Sequence, residues 1–126
     1  MSTKKSIFTV LLFTAVFALA SCASTPTVSD DLTPSQIVQL GQSAYDKGNY
    51  KLAIFYYEEV LSRFGTDPSI SVEANYEIGH IYAKTNKKDN AKNYFNAVLE
   101  LYDIYGLSLP QQYKKLSLMG LNSISN

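Results

Sequence analysis

The sequence has no tryptophan, one cysteine, one histidine, four prolines and no surplus of either charge sign, with eleven basic and eleven acidic residues. A single cysteine excludes an intrachain disulfide. With only one histidine beside it, no Cys/His set with zinc-ligand spacing exists. No run of like charge exceeds pairs such as Asp30–Asp31 and Glu58–Glu59, so the basic stripe that nucleic-acid binding requires is absent and no nucleic-acid partner is expected. A glycine-rich phosphate loop, a nucleophile paired with a base, and a metal-binding cluster are all missing from the pattern; the expectation is a protein that is not an enzyme and carries no metal or cofactor. What the chain has in abundance is tyrosine, ten in 126 residues, a ring that packs well and still offers a hydroxyl to a partner. The length suits one domain.

The N-terminus is organised for export. Lys4 and Lys5 precede an apolar stretch from Ile7 to Ala20 broken only by two threonines, and small residues follow. That stretch is shorter than the roughly 20 residues a membrane-spanning helix needs, and it has the layout of a signal peptide. Leu19-Ala20-Ser21-Cys22 resembles a bacterial lipobox. The resemblance implies cleavage before Cys22 and attachment of acyl chains, such as palmitate, to that residue. Thioether formation would also remove a thiol that is a liability in an oxidising compartment, and two acyl chains suffice for stable membrane retention. Ala23 stands where an aspartate favours inner-membrane retention in some such lipoproteins, which points to the periplasmic face of the outer membrane. The expected organisation is a signal peptide over 1–21, a lipidated Cys22 with a flexible tether over 22–32, and a folded domain over 33–126. A tether of this size spans about 18 Å on average.

Order begins at Thr33-Pro34-Ser35-Gln36, a capping box with proline at the first helical position. Ile37, Leu40, Gly41 and Ala44 then recur at helical spacing up to Gly48; a second run carries Leu52, Ala53, Tyr56, Tyr57, Val60, Leu61 and Phe64 up to Gly65. The short connection makes the two helices antiparallel neighbours. Sliding the sequence by the distance from Gly41 to Gly79 superimposes Leu40 on Ile78, Ala53 on Ala91, Tyr56 on Tyr94, Tyr57 on Phe95, Val60 on Val98, Leu61 on Leu99 and Phe64 on Tyr102. Gly48 falls on Asn86, the next residue most tolerant of a left-handed helix end. Two copies of one helical hairpin are present. The spacing exceeds the about 34 residues of a common helical-hairpin repeat, and the surplus is expected as a longer turn over Gly65 to Ser71.

Within each copy the pattern L/I-G, a helix end, then A-x-x-x-Y/F-x-x-V-L resembles the tetratricopeptide repeat. It departs in lacking the early tryptophan and in having Val60 and Val98 where alanine is usual. The fold class implied is all-α, two repeats plus a C-terminal helix. The resemblance further implies a protein-binding groove lined by Val38, Gln42, Tyr45 and Asp46 of the first copy and Tyr76, His80, Ala83 and Lys84 of the second. Packing against the last helix is the competing role for some of these residues. After Gly106, Ser108-Leu109-Pro110-Gln111 looks like a second helix start, followed by Tyr113, Leu116, Met119 and Gly120 on one seam. Leu118, Leu121 and Ile124 extend the apolar surface beyond it, as a greasy cap or as a docking face for a partner or for self-association. Two repeats are few for a stable solenoid, so dependence on a partner or a second copy is expected.

Lipobox, tether and repeats together resemble the BamD class of lipoproteins, components of the machinery that inserts β-barrel proteins. The function this implies is a lipid-anchored adaptor in the bacterial cell envelope. An accessory of pilus or secretin assembly, or of a periplasmic solute-binding system, is the alternative.

Overall fold

The computed structural model describes residues 26–126. Cys22, the signal peptide and the first residues of the tether lie outside the described residues. Five helices follow one another: α1 (Pro34–Asp46), α2 (Tyr50–Phe64), α3 (Pro68–Lys84), α4 (Lys88–Tyr105) and, after a 3-10 turn at Gly106–Ser108, α5 (Gln112–Ser125). Each packs antiparallel on the next, and α5 also touches α3. Consequently the start of α1, the α2–α3 turn and the α4–α5 connection share one edge of the stack, while the turns at 47–49 and 85–87 share the other.

The helix ends are set by the residues that punctuate the sequence. Thr33 accepts from the Gln36 N–H while the Gln36 side chain accepts from the Thr33 N–H, closing the expected box. Gly48 sits at φ 74° and Asn86 at φ 59°, so both hairpins turn through the left-handed conformation. Asp67 caps α3 by accepting from the N–H groups of Ser69 and Ile70. That cap corrects the expected long turn. The connection is only Gly65 to Asp67, Ser69 to Ser71 belong to the first turn of α3, and the surplus residues lengthen the helix. The capping box expected at Ser108–Gln111 does not form either. Ser108 Oγ turns back to the Tyr105 carbonyl at 2.7 Å, and α5 starts at Gln112 without a side-chain cap.

The core runs between the hairpins. Ile37, Ala44, Ala53, Tyr57, Val60, Ala74, Ile78 and Ile81 form one buried cluster, and Val72, Val98, Tyr102 and Leu109 a second. Close approach within each hairpin depends on glycine. A Cβ on Gly41 would lie 2.8 Å from Cζ of Tyr57, and one on Gly79 would lie 2.9 Å from Cδ1 of Phe95. Gly120 of α5 presses on the other side of the same ring, where a Cβ would come within 2.5 Å of Cε2. Phe95 is thus held between two glycines, and this fixes α5 on the second hairpin.

The second half of the expected tether is attached to the fold. Val28 and Leu32 pack against the first core cluster. Arg63 near the end of α2 donates through Nη1 to the Ser29 carbonyl and through Nη2 to the Val28 carbonyl, both at 2.9 Å, and its guanidinium is held in turn by Glu59. The folded unit therefore includes Val28 to Leu32, ahead of the expected boundary at Thr33.

Candidate functional site: an aromatic and imidazole row on the helix stack

The residues proposed for the groove separate into two sets. Val38 is 9% exposed and belongs to the core, because α1 turns it toward the neighbouring helices; this corrects its assignment to the groove. Gln42 and Asp46 are exposed on α1. Tyr45, Tyr76 and His80 are half-buried and meet one another. The Tyr45 hydroxyl lies 3.1 Å from His80 Nε2, and the His80 ring stacks on Tyr76 with centroids 6.0 Å apart. Lys84 places Nζ 5.8 Å from the centre of the Tyr45 ring, within cation–π range. The row continues from Tyr76 to Tyr113 of α5 at 5.5 Å. Tyr76 thus serves both roles, packing α5 onto α3 and facing the groove.

Beside this row opens a cleft of about 590 Å³. Its α3 wall is Tyr76, His80, Ala83 and Lys84, its floor is Phe95, and its far wall is α5, through Leu116, Met119, Gly120 and Ile124. Of the residues proposed as a docking face, Ile124 lines this cleft. Leu118 is 49% exposed and lines a shallower depression with Lys114, Lys115 and Met119, and Leu121 is half-buried. The α5 wall could have been anticipated by applying the repeat offset once more, since Leu40 and Ile78 lead to Leu116, and Gly41 and Gly79 lead to Ser117. Ser117 is fully buried, as that register requires, and its hydroxyl has no partner.

The electrostatics of the face are graded along α3. Residues 73, 77, 80 and 84 share one stripe by helical spacing, giving Glu73 and Glu77 at one end and His80 and Lys84 at the other. Burial and the neighbouring Glu73 push the Glu77 carboxyl up to about 6. Burial and then the Lys84 ammonium hold His80 below the ordinary histidine range, so the ring is neutral near pH 7. Burial raises Tyr113 and Tyr76 as well, with the Glu73 and Glu77 carboxylates adding to it at Tyr113 and Glu77 at Tyr76. A neutral imidazole has one donor and one acceptor nitrogen, and with Nε2 engaged by the Tyr45 hydroxyl its Nδ1 is left to bond to a partner. Such a row can stack on a side chain, make a hydrogen bond and orient a charge. Among the described residues no three His, Cys, Asp or Glu side chains converge to hold a metal ion, and no helix is long and apolar enough to cross a membrane.

Stacked helical hairpins with this small-residue and aromatic register define a class, and the chain belongs to the tetratricopeptide-repeat family. The family pattern matches residues 37–66 and 72–104, half of the chain. Proteins of this kind are protein-interaction scaffolds. The chain is 37% identical over 113 residues to an uncharacterized protein of Treponema pallidum (strain Nichols), covering 86% of this chain and 45% of that protein. It is 29% identical over 75 residues to the outer membrane protein assembly factor BamD of Helicobacter pylori, covering 59% of this chain and 34% of that protein. The chain therefore spans less than half the length of these curated relatives. No solved structure matches it.

Proposed function

We propose that the protein is a lipid-anchored adaptor of the bacterial cell envelope that holds a peptide segment of a partner against α3 and serves the assembly of outer-membrane β-barrel proteins. The observation that carries the binding role is the half-buried row Tyr45–His80–Tyr76 opening on the cleft with Lys84 above it. Polar aromatic groups left accessible in a concave surface are the usual anchors of protein recognition. The partial similarity to a BamD protein supports the role in assembly, and the sequence Leu19 to Cys22 supports the anchor.

The stripe from residue 73 to residue 84 is about 16 Å long at helical rise, which matches an extended segment of about five residues. Its polarity selects a segment with a carboxylate near Lys84, an aromatic or apolar side chain against Tyr76 and His80, and a basic group toward Glu73 and Glu77. His80→Ala and Tyr45→Phe remove the imidazole and the shared hydrogen bond without disturbing the core. Each is expected to weaken capture of a barrel-assembly subunit from detergent-solubilised membranes about tenfold, the effect of losing one anchor worth 1.4 kcal/mol. Undiminished capture by both variants would remove the row from the binding surface. Capture of a secretin or a solute-binding protein in place of the assembly subunit would refute the assembly role and leave the groove.

A further inference from the structure

The α4–α5 connection presents an apolar tip that neither the core nor the groove uses. Leu107 is 89% exposed and Ile104 71%, with Tyr105 beside them at 45%. Their exposure is not the result of a loose loop. Leu109 is buried, the Tyr102 hydroxyl donates to the Pro110 carbonyl, and Ser108 Oγ donates to the Tyr105 carbonyl. Gln111 Nε2 donates to the Leu109 carbonyl at 2.8 Å, and Gly106 takes φ 58° to reverse the chain. The connection is braced on its inner side and holds Leu107 outward at its apex.

This tip lies on the edge where the N-terminal segment leaves the fold. The Arg63 clamp on the Val28 and Ser29 carbonyls fixes that departure at the end of α2, two helix positions from the end of α4, or roughly 20 Å at usual packing distances. Cys22 is six residues before Val28, so even a fully extended chain reaches only about 21 Å from the clamp. An anchor at Cys22 therefore keeps the clamp within about 21 Å of the bilayer, close enough for the exposed tip on the same edge to reach it. The chemistry suits a lipid interface. Two aliphatic side chains and a tyrosine are flanked by exposed Lys114, whose Nζ lies 5.8 Å from the centre of the Tyr102 ring. Aromatic rings favour the headgroup level, lysine there meets anionic headgroups, and the exposed Asp103 is the one opposing charge on this last turn of α4.

We propose that Ile104, Tyr105 and Leu107 form a second membrane contact, inserted into the interface of the leaflet that holds the acyl chains, so that the protein stands on two points along one edge. The inference rests on the anchoring at Cys22. Two-point attachment along one edge turns that edge to the leaflet, with the turns at 47–49 and 85–87 on the opposite edge, away from it. The absence of native tryptophan makes a single introduced indole a direct reporter.

The full chain, purified from membranes and reconstituted into vesicles of phosphatidylethanolamine and phosphatidylglycerol, is to be compared as Leu107→Trp, Ile104→Trp and Lys47→Trp, the last on the opposite edge. Both tip variants are expected to show blue-shifted emission that brominated lipids quench, whereas Lys47→Trp shows neither, with all three floating with the vesicles. Flotation with unquenched tip emission overturns the second contact and leaves the anchor. Failure to float overturns both. A blue shift that bromine does not quench and that grows with protein density assigns the tip to a second copy of the chain, also overturning the proposal.

Discussion

Gly79→Ala tests whether the stack is held by the close approach of glycine to an aromatic ring. The added methyl would sit 2.9 Å from Cδ1 and Cε1 of Phe95 and 3.2 Å from Cβ of Tyr94. Gly120 limits the ring's retreat on its other side, where a would-be Cβ comes within 2.5 Å. Overpacking of this kind costs about 1–3 kcal/mol. Alanine in a helix interior returns about 1 kcal/mol relative to glycine. The net expectation is a loss of up to about 2 kcal/mol, or up to roughly 15 °C in Tm for a domain of this size. The assay is thermal and urea unfolding of the full chain by far-ultraviolet circular dichroism. Phe95→Leu provides the control for cause: removing the ring removes the clash, so in that background Gly79→Ala should be neutral or stabilising by up to about 1 kcal/mol. A destabilisation of equal size in both backgrounds would refute the reasoning, as would a stabilising Gly79→Ala in the native one.

Glu77→Gln should stabilise the protein at pH 7. The folded carboxyl titrates at about 6 against 4.5 unfolded, so the folded state holds the extra proton between these values and stability falls as pH rises through that window. The full cost is about 2 kcal/mol, and about 1 kcal/mol after solvent screening at this partly exposed position; a pH-stability profile unchanged by the substitution would contradict it. His80 contributes the opposite slope. Its folded value lies below 6.5, so the unfolded state protonates first and stability falls as pH drops below 6.5, a fall that His80→Gln should abolish. Arg63→Lys loses the guanidinium fork on the Val28 and Ser29 carbonyls and should cost about 1–2 kcal/mol, while opening residues 26–32 to limited proteolysis. An uncleaved segment in that variant would show that Val28 and Leu32 suffice to hold it.

The helices and their register were legible because the signals that set them are local. Thr33–Gln36, Gly48 and Asn86 each punctuate the chain within a few residues, and all are found in those roles. The repeat offset carried the glycine-to-ring contacts as well, since Gly41 with Tyr57 and Gly79 with Phe95 are side-chain neighbours in both hairpins. What the pattern did not carry was tertiary. Val38 occupies the same repeat position as Tyr76, yet it is short and apolar and turns into the core, whereas Tyr76 is long enough to pack on Tyr113 and still reach the surface. The Arg63 clamp joins residues more than thirty positions apart through main-chain carbonyls, which no side-chain pattern in a Ser/Thr/Pro-rich segment announces. At Ser108 the expected cap lost to a tighter competitor, the 3-10 turn stabilised by the buried Leu109 and the Tyr102–Pro110 hydrogen bond.

The adaptor reading stands or falls on whether a partner lies in the α3 groove. Photo-crosslinking in intact membranes from a residue introduced at Lys84, with the same reporter at Lys92 on α4 as reference, addresses this directly. The account predicts a discrete adduct with a subunit of the barrel-assembly machinery from position 84, lost on Tyr45→Phe with His80→Ala, and none from position 92. An adduct from position 84 that survives the double substitution, or none at all while the protein still co-purifies with that subunit, would contradict it.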